Sequence, residues 1–447
     1  MKSYKIDMCN GPLVSNMLAF TIPLIFTGVL QLFFNAADTV VVGRYTGERA
    51  LAAVGSTTSL INLLLNLVIG ISMGTGIIIG RNYGAGNKRR TRNSVHTAIA
   101  TAIISGFIML VAGIILTKPM LKLMGTPEDV IDLSILYMHI FFIGMPSSML
   151  YNFGASILRA VGDTKRPLFI LAGAGVVNII LNLILVIVFH LGVAGVAIAT
   201  IISEAISAFF ILRILMKDDG PLHLEWKKVK IHLSCLRDII KYGLPAGIQG
   251  ILFNISNVII QSSVNSFGSM AVAGNTAALT IEGFIYASTN AVYQTSLNFT
   301  SQNTGARNYK RVDKILILSV IFVFILGNVL GAFAYIFGDK LLRISLSAPE
   351  ALSYGLIRIG IVGTTYALCG IMDVSVGSLR GLGFPILPTV VTLIGACIFR
   401  LAWIFTIFKK YHELSVLYLS YPISWVITAI ILIVCYVTMK KKKFYII

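Results

Sequence analysis

Four carboxylates stand inside long apolar runs of this chain: Asp38, Glu204, Glu282 and Asp373. A charged carboxylate in such a setting is costly unless it is paired or wet, so each is a candidate for function. Asp38 has polar company at matching depth. It lies about five residues from the end of its run, or ~8 Å at helical rise. Asn182 lies about eight residues from the end of another run, with Asn178 one helical turn deeper on the same face. Thr200 sits about eight residues into the next run, so all four fall within a layer ~8–18 Å deep. A carboxylate, two amide oxygens and a hydroxyl form a hard-oxygen set suited to Na⁺. The carboxylate alone could instead carry a proton.

Two cations share this kind of setting. Arg358 and Arg400 lie inside apolar runs of the second half, and Arg400 falls where the position of Asn178 repeats. Glu282 and Asp373 are the acids available to them, although Asp373 lies nearer the opposite end of its run. A structural ion pair and a place in a transport pathway both remain open for this set, and Glu204 is a candidate to line a cleft. Other chemistries find no support. There is no GxxxxGK[ST] sequence for ATP, and His412-Glu413 lacks the second His of a zinc-protease motif. No Ser/His/Asp arrangement stands out. The five cysteines are scattered without a CxxC pair, which indicates neither a disulfide framework nor a zinc site. No enzyme and no cofactor are expected. Any driving energy would come from an ion gradient.

The elements that position these residues must be transmembrane helices. Only 12% of the 447 residues are charged, about half the share usual in soluble domains. Apolar runs approaching or exceeding the ~20 residues of a spanning helix recur throughout, and strand-type alternation is absent. Spans are expected near 14–42, 51–80, 93–117, 131–153, 167–190, 193–216, 238–265, 270–302, 313–338, 351–378, 386–408 and 415–438. About three-quarters of the 36 Lys and Arg fall on one side of this layout, which places both termini in the cytoplasm of a multi-pass bacterial inner-membrane protein. The same skew explains the net charge of +18 without nucleic acid. Lys440–Lys443 reads as an anchor at the inner leaflet. Residues 1–12 are polar, and no cleavable signal peptide is expected.

The chain repeats itself. NYGAGNKRR (82–90) matches NTGARNYKR (303–311), and ILRAVGDTKRP (157–167) matches SLRGLGFPILP (378–388). Pro23 corresponds to Pro245, and LAAVGST (51–57) to MAVAGNT (270–276). Six spans per half is an even number, so the repeat is parallel. The expected architecture is an all-α polytopic membrane protein of twelve transmembrane helices in two pseudo-symmetric six-helix bundles. Residues 1–216 form the first bundle, 217–237 a cytoplasmic linker, and 238–447 the second. Two like bundles can form a cleft that opens to alternate sides by rocking. Abundant Phe, Tyr and Met suit a broad pocket for flat lipophilic cations, though they are also ordinary membrane filling.

The segments PLIFTGVLQLFFNAADTVVVGR (23–44), LAAVGS (51–56), GRNYGAGN (80–87), GASILRAVGDTKRP (154–167), VNIILN (177–182) and GSLRGLG (377–383) together resemble the multidrug and toxic compound extrusion (MATE) family over the whole chain. The resemblance implies a V-shaped pair of six-helix bundles that exports drugs in exchange for Na⁺ or H⁺. It also implies a central coupling role for Asp38, with Asn178, Asn182 and Thr200 at a cation site. Two departures matter. Asn182 stands where members often carry Asp, and Asn254 where others carry a span-seven Glu. The expected function is antiport of organic, mainly cationic, compounds by a monomer. A lipid-linked precursor flippase is the runner-up, disfavoured because only Arg358 and Arg400 are cationic within spans, and a passive channel comes third.

Overall fold

The structure is a computed structural model that describes residues 4–444. The extreme residues 1–3 and 445–447, and the side chains of Ser59, Phe444 and, in the terminal lysine run, Lys442 and Lys443, lie outside the described residues. Each of the twelve runs read as spans is covered by helix, the tenth broken by a 3₁₀ turn at Gly363–Thr365. In chain order these are α1 (Leu13–Tyr45), α2 (Glu48–Gly84), α3 (Lys88–Leu123), α4 (Glu128–Ala160), α5 (Lys165–Val188) and α6 (Gly192–Met216), then α7 (Leu233–Asn265), α8 (Ser269–Gly305), α9 (Tyr309–Ile336), α10 (Pro349–Leu382), α11 (Ile386–Phe408) and α12 (Leu414–Phe444). Several overrun their apolar stretch. α3 begins ahead of the expected 93 because the Asn87 side chain accepts from the Arg90 backbone N–H at 3.0 Å and caps the first turn. α7 begins at Leu233 and so takes in the last residues of the segment expected as linker.

The packing is that of a membrane protein. On α3, Ile104, Phe107, Ile108, Val111 and Ile115 are exposed, while Ser94, Ala98, Ala102, Gly106 and Gly113 are buried. Large apolar side chains face outward and small ones face neighbouring helices, which lets helices approach closely where lipid leaves no hydrophobic drive to associate. Among the described residues eleven helices are apolar enough to cross a membrane. The exception is α8, whose 37 residues bury Asn275, Glu282, Asn298, Gln302 and Asn303.

The chain forms two compact units whose border runs through two helices. Among the described residues the first unit holds 4–6 and 29–247, the second 7–28 and 248–444. The packing shows why. The beginning of α1 belongs with α8, through Thr21 Oγ1 at 2.7 Å from Thr295 Oγ1 and an edge-on contact of Phe20 with Phe299. The beginning of α7 belongs with α2. There Gly70 and Gly74 lie so close to Gly243 and Gly247 that a Cβ on Gly70 would sit 2.2 Å from the Gly247 nitrogen.

The duplication is visible in the local backbone of each unit. The residues that start α2 and α8, Gly47 (φ 87, ψ 173) and Gly268 (φ 88, ψ 176), share a conformation open to glycine and closed to residues with a Cβ. The helix-ending Ala85 and Ala306 match equally well, at φ −74 and −73. α5 closes in a π turn, Ile184–Val188, and α11 in its counterpart, Ile404–Phe408. α11 carries a second π turn, Leu393–Ile398, for which α5 has no equivalent.

Candidate functional site: a carboxylate layer and a guanidinium cluster

Within the first unit, Asp38, Asn178, Asn182 and Thr200 come together from α1, α5 and α6. Gly175, one turn before Asn178, lets the Phe34 ring of α1 lie against α5; a Cβ there would fall 1.9 Å from the ring. That contact sets the separation of the two helices at Asp38. The spacing of Asn178 and Asn182 stacks them on one face of α5. The Asn182 amide donates to Asp38 Oδ1 at 2.5 Å and to Asn178 Oδ1 at 3.2 Å. Asn178 in turn donates to Thr200 Oγ1 at 3.5 Å, and the Thr200 hydroxyl is anchored to the Val196 carbonyl at 3.0 Å. Both asparagines are buried, while Asp38 and Thr200 are half-buried.

Two features give this chain its chemistry. Among the described residues no cation pairs with Asp38, and the buried Asn182 Oδ1 has no donor. An orphaned acceptor beside an unneutralised carboxylate is what an arriving cation would satisfy. Turning the Asn182 amide over would exchange the donor facing Asp38 for an acceptor. The donor set therefore fits a hard monovalent cation and equally fits a proton on Asp38.

Glu204, on α6, is half-buried with Ser148 as its hydrogen-bonding neighbour. Tyr137 of α4 is the electrostatic neighbour of both Asp38 and Glu204. Nothing in the sequence pattern singles it out.

The second unit holds the opposite charge. Arg358 of α10 makes a bidentate pair with Glu282 of α8, at 2.8 Å for both contacts. Its remaining arm donates to Asn275 Oδ1 at 2.9 Å, which also accepts from the Tyr418 hydroxyl at 3.0 Å. The guanidinium lies over the rings of Tyr418 and Tyr421, at 5.2 and 5.3 Å from their centroids. Arg400 of α11 donates from Nε to Ser424 Oγ at 2.9 Å and lies 4.2 Å over Tyr421 and 5.5 Å over Trp425. No carboxylate pairs with Arg400 among the described residues, and its Nη2 has no partner. Asp373 is half-buried with Arg380 as its charged neighbour. Arg380 is itself held by Tyr293, Gln249 and Thr389. Sequence reasoning missed Asn275, Tyr418, Tyr421 and Trp425; the one signal for them was polarity on α8 at the depth of Arg358.

Known proteins resemble this chain over its whole length. The MatE family profile matches it twice, over residues 23–184 and 245–406. The probable multidrug resistance protein YoeA of Bacillus subtilis is 30% identical over 439 residues, covering 96% of this chain and 94% of that one. The probable multidrug resistance protein YpnP of the same organism is 29% identical, covering 90% and 89%. Among solved structures, a MOP superfamily transporter from Pyrococcus furiosus superposes with a TM-score of 0.92 at 20% identity, over 99% of each chain.

Proposed function

The chain belongs to the MATE family of multi-pass membrane transporters, which are not enzymes, and from that premise we propose that it is a secondary multidrug antiporter coupled through Asp38. It exports small organic compounds, lipophilic cations among them, in exchange for Na⁺ or H⁺. The names of the relatives, both multidrug resistance proteins, support the substrate class. The observation that carries the coupling is the half-buried Asp38, bound by one amide donor, without a cation, beside the unpaired Asn182 Oδ1.

The mechanism stems from the cost of that carboxylate. A charged Asp38 in an apolar surround is stabilised by whichever positive charge reaches it. Ion and cationic drug therefore compete for the same negative potential, and entry of one favours release of the other. Asn178, Asn182 and Thr200 supply the neutral oxygens that would complete a Na⁺ shell. If H⁺ is the coupling ion, their role is to orient the carboxyl. The two compact units are the bodies proposed to rock, with 217–237 linking the two halves of the chain. The protein works as a monomer in a bacterial inner membrane. The Lys and Arg skew supports a cytoplasmic position for both ends.

Ethidium efflux from vesicles under imposed Na⁺ or H⁺ gradients tests this reading and names the ion. Efflux is expected to track one gradient in the wild type and to stop responding to it in Asp38→Asn. Full gradient-driven efflux by that variant would remove Asp38 from the mechanism.

A further inference from the structure

Arg358 and Arg400 are neighbours in the same cluster with different fates. Arg358 is answered by both oxygens of Glu282. Arg400 is just as buried, at 3% exposure, yet no carboxylate answers it among the described residues. Its Nε is spent on Ser424, while Nη2, also buried, donates to nothing. The faces of Tyr421 and Trp425 offset part of the charge, but a ring face does not replace the acceptor that an N–H of a guanidinium requires. Arg400 is eight residues from the nearer end of α11, about 12 Å at helical rise, a depth at which a lone cation marks a functional site.

The helix around it adds a second, independent observation. Arg400 sits on a five-residue α-helical piece, Phe399–Trp403, bracketed by π turns at Leu393–Ile398 and Ile404–Phe408. π turns gather at functional sites. The first of them has no equivalent in α5, and it directly precedes the guanidinium. Each holds one residue more than an α turn, so converting it to α would swing the rest of the helix by about 100°. The unanswered cation thus rides on the segment of α11 best able to re-aim it.

We propose that Arg400 anchors an anion site in the second unit, whose ligand is a carboxylate or comparable anion carried by an aromatic solute. Nη2 supplies a charge-assisted hydrogen bond to the anion, Ser424 holds the other side of the guanidinium, and Tyr421 and Trp425 bound the apolar part. For the proposed transporter this adds zwitterionic and anionic aromatics to the substrates, and to that extent it rests on the export reading. The binding site itself does not.

The test is therefore binding to the purified full-length protein, read as the thermal unfolding midpoint during titration with 2-naphthoate or its neutral isostere 2-naphthamide. Wild type is expected to respond to naphthoate at roughly ten-fold lower concentration than to naphthamide. Arg400→Gln, which removes a buried charge and leaves Glu282–Arg358 intact, is expected to respond to both alike. Ser424→Ala keeps the charge and is expected to retain a reduced preference. Chloride that competes with naphthoate in wild type, and has no effect on Arg400→Gln, would make an inorganic halide the occupant of the same anion site. Equal responses of wild type to the two naphthyl probes, or an undiminished preference in Arg400→Gln, would overturn the proposal. Ethidium efflux by the same preparations in vesicles reports separately on export.

Discussion

In the first unit the charged side chain in the apolar layer, Asp38, meets only an amide; in the second, Arg358 meets a carboxylate, an amide oxygen and two aromatic rings. The two sites draw on different parts of the repeat, α1, α5 and α6 around Asp38 and α8, α10 and α12 around Arg358. One arrangement leaves its charge available to whatever arrives, and the other consumes it internally. A satisfied buried pair rigidifies, because breaking it strands a partner in low dielectric. An unsatisfied carboxylate does the reverse: the fold tolerates it at some cost, and the cost falls when an ion binds. On the proposed antiport reading, coupling belongs to the first unit and structural locking to the second. Arg400 interrupts that division as the second unit's own unanswered charge.

The largest effect is expected where the comparison is broken on its stable side. Glu282→Gln leaves Arg358 buried without a counter-charge and should cost about 3–5 kcal/mol of stability, read as denaturant unfolding in detergent. Replacing both partners by apolar residues, Glu282→Met with Arg358→Leu, should recover most of it. Asp38→Asn is the mirror case. It should change stability by no more than about 1 kcal/mol while ending the response to the ion gradient. A loss of stability comparable to that of Glu282→Gln would erase the contrast between the units. Asn182→Ala removes the donor to both Asp38 and Asn178 and should cost about 1–3 kcal/mol. With Na⁺ as the coupling ion, saturating Na⁺ should widen the gap, because Ala also removes the Asn182 Oδ1 that would ligate it.

The smallest effect lies outside the membrane. Asp7, in the second unit, would be raised by burial, but the N–H groups of Asn10 and Cys9, the Asn10 side chain and Arg311 outweigh this and hold its carboxyl below the ordinary 3.8. A lowered value stabilises the fold above the unfolded value, and that contribution is lost as pH falls through the folded one, here below about pH 4. Labelling of Cys9 by an acid-tolerant disulfide reagent should therefore be slower in wild type than in Asp7→Asn at neutral pH, and the two rates should converge in acid. Asp163, in the first unit, should behave differently. It is fully buried, and burial outweighs Arg166 to raise its carboxyl, so acid favours its folded environment.

The first unit's layer was legible because its information is local. Asn178 and Asn182 are one turn apart, and a count of residues from helix ends brought Asp38 and Thr200 to the same depth. The twelve helices were legible for the same reason, α8 included, although its polar residues lower its hydropathy. The second unit's cluster was not. Arg358 and Glu282 are separated by a helix and its loops, and which of two acids pairs with which of two arginines depends on helix rotation that no single-helix periodicity reports. Rings from α12 that cradle both guanidinium groups look in sequence like any lipid-facing aromatics. The π turns were invisible because a 3.6-residue reading assumes them away.

The border between the units has a consequence for how the chain can be divided. α1 gives residues 13–28 to the second unit, and α7 gives 233–247 to the first, each held by close helix contacts. A gene cut between residues 217 and 232 would yield two fragments, each carrying a piece the other's core requires, as in an exchanged-helix dimer. Neither product is a complete unit. The two are expected to accumulate only when synthesised together, each acting as the other's missing part.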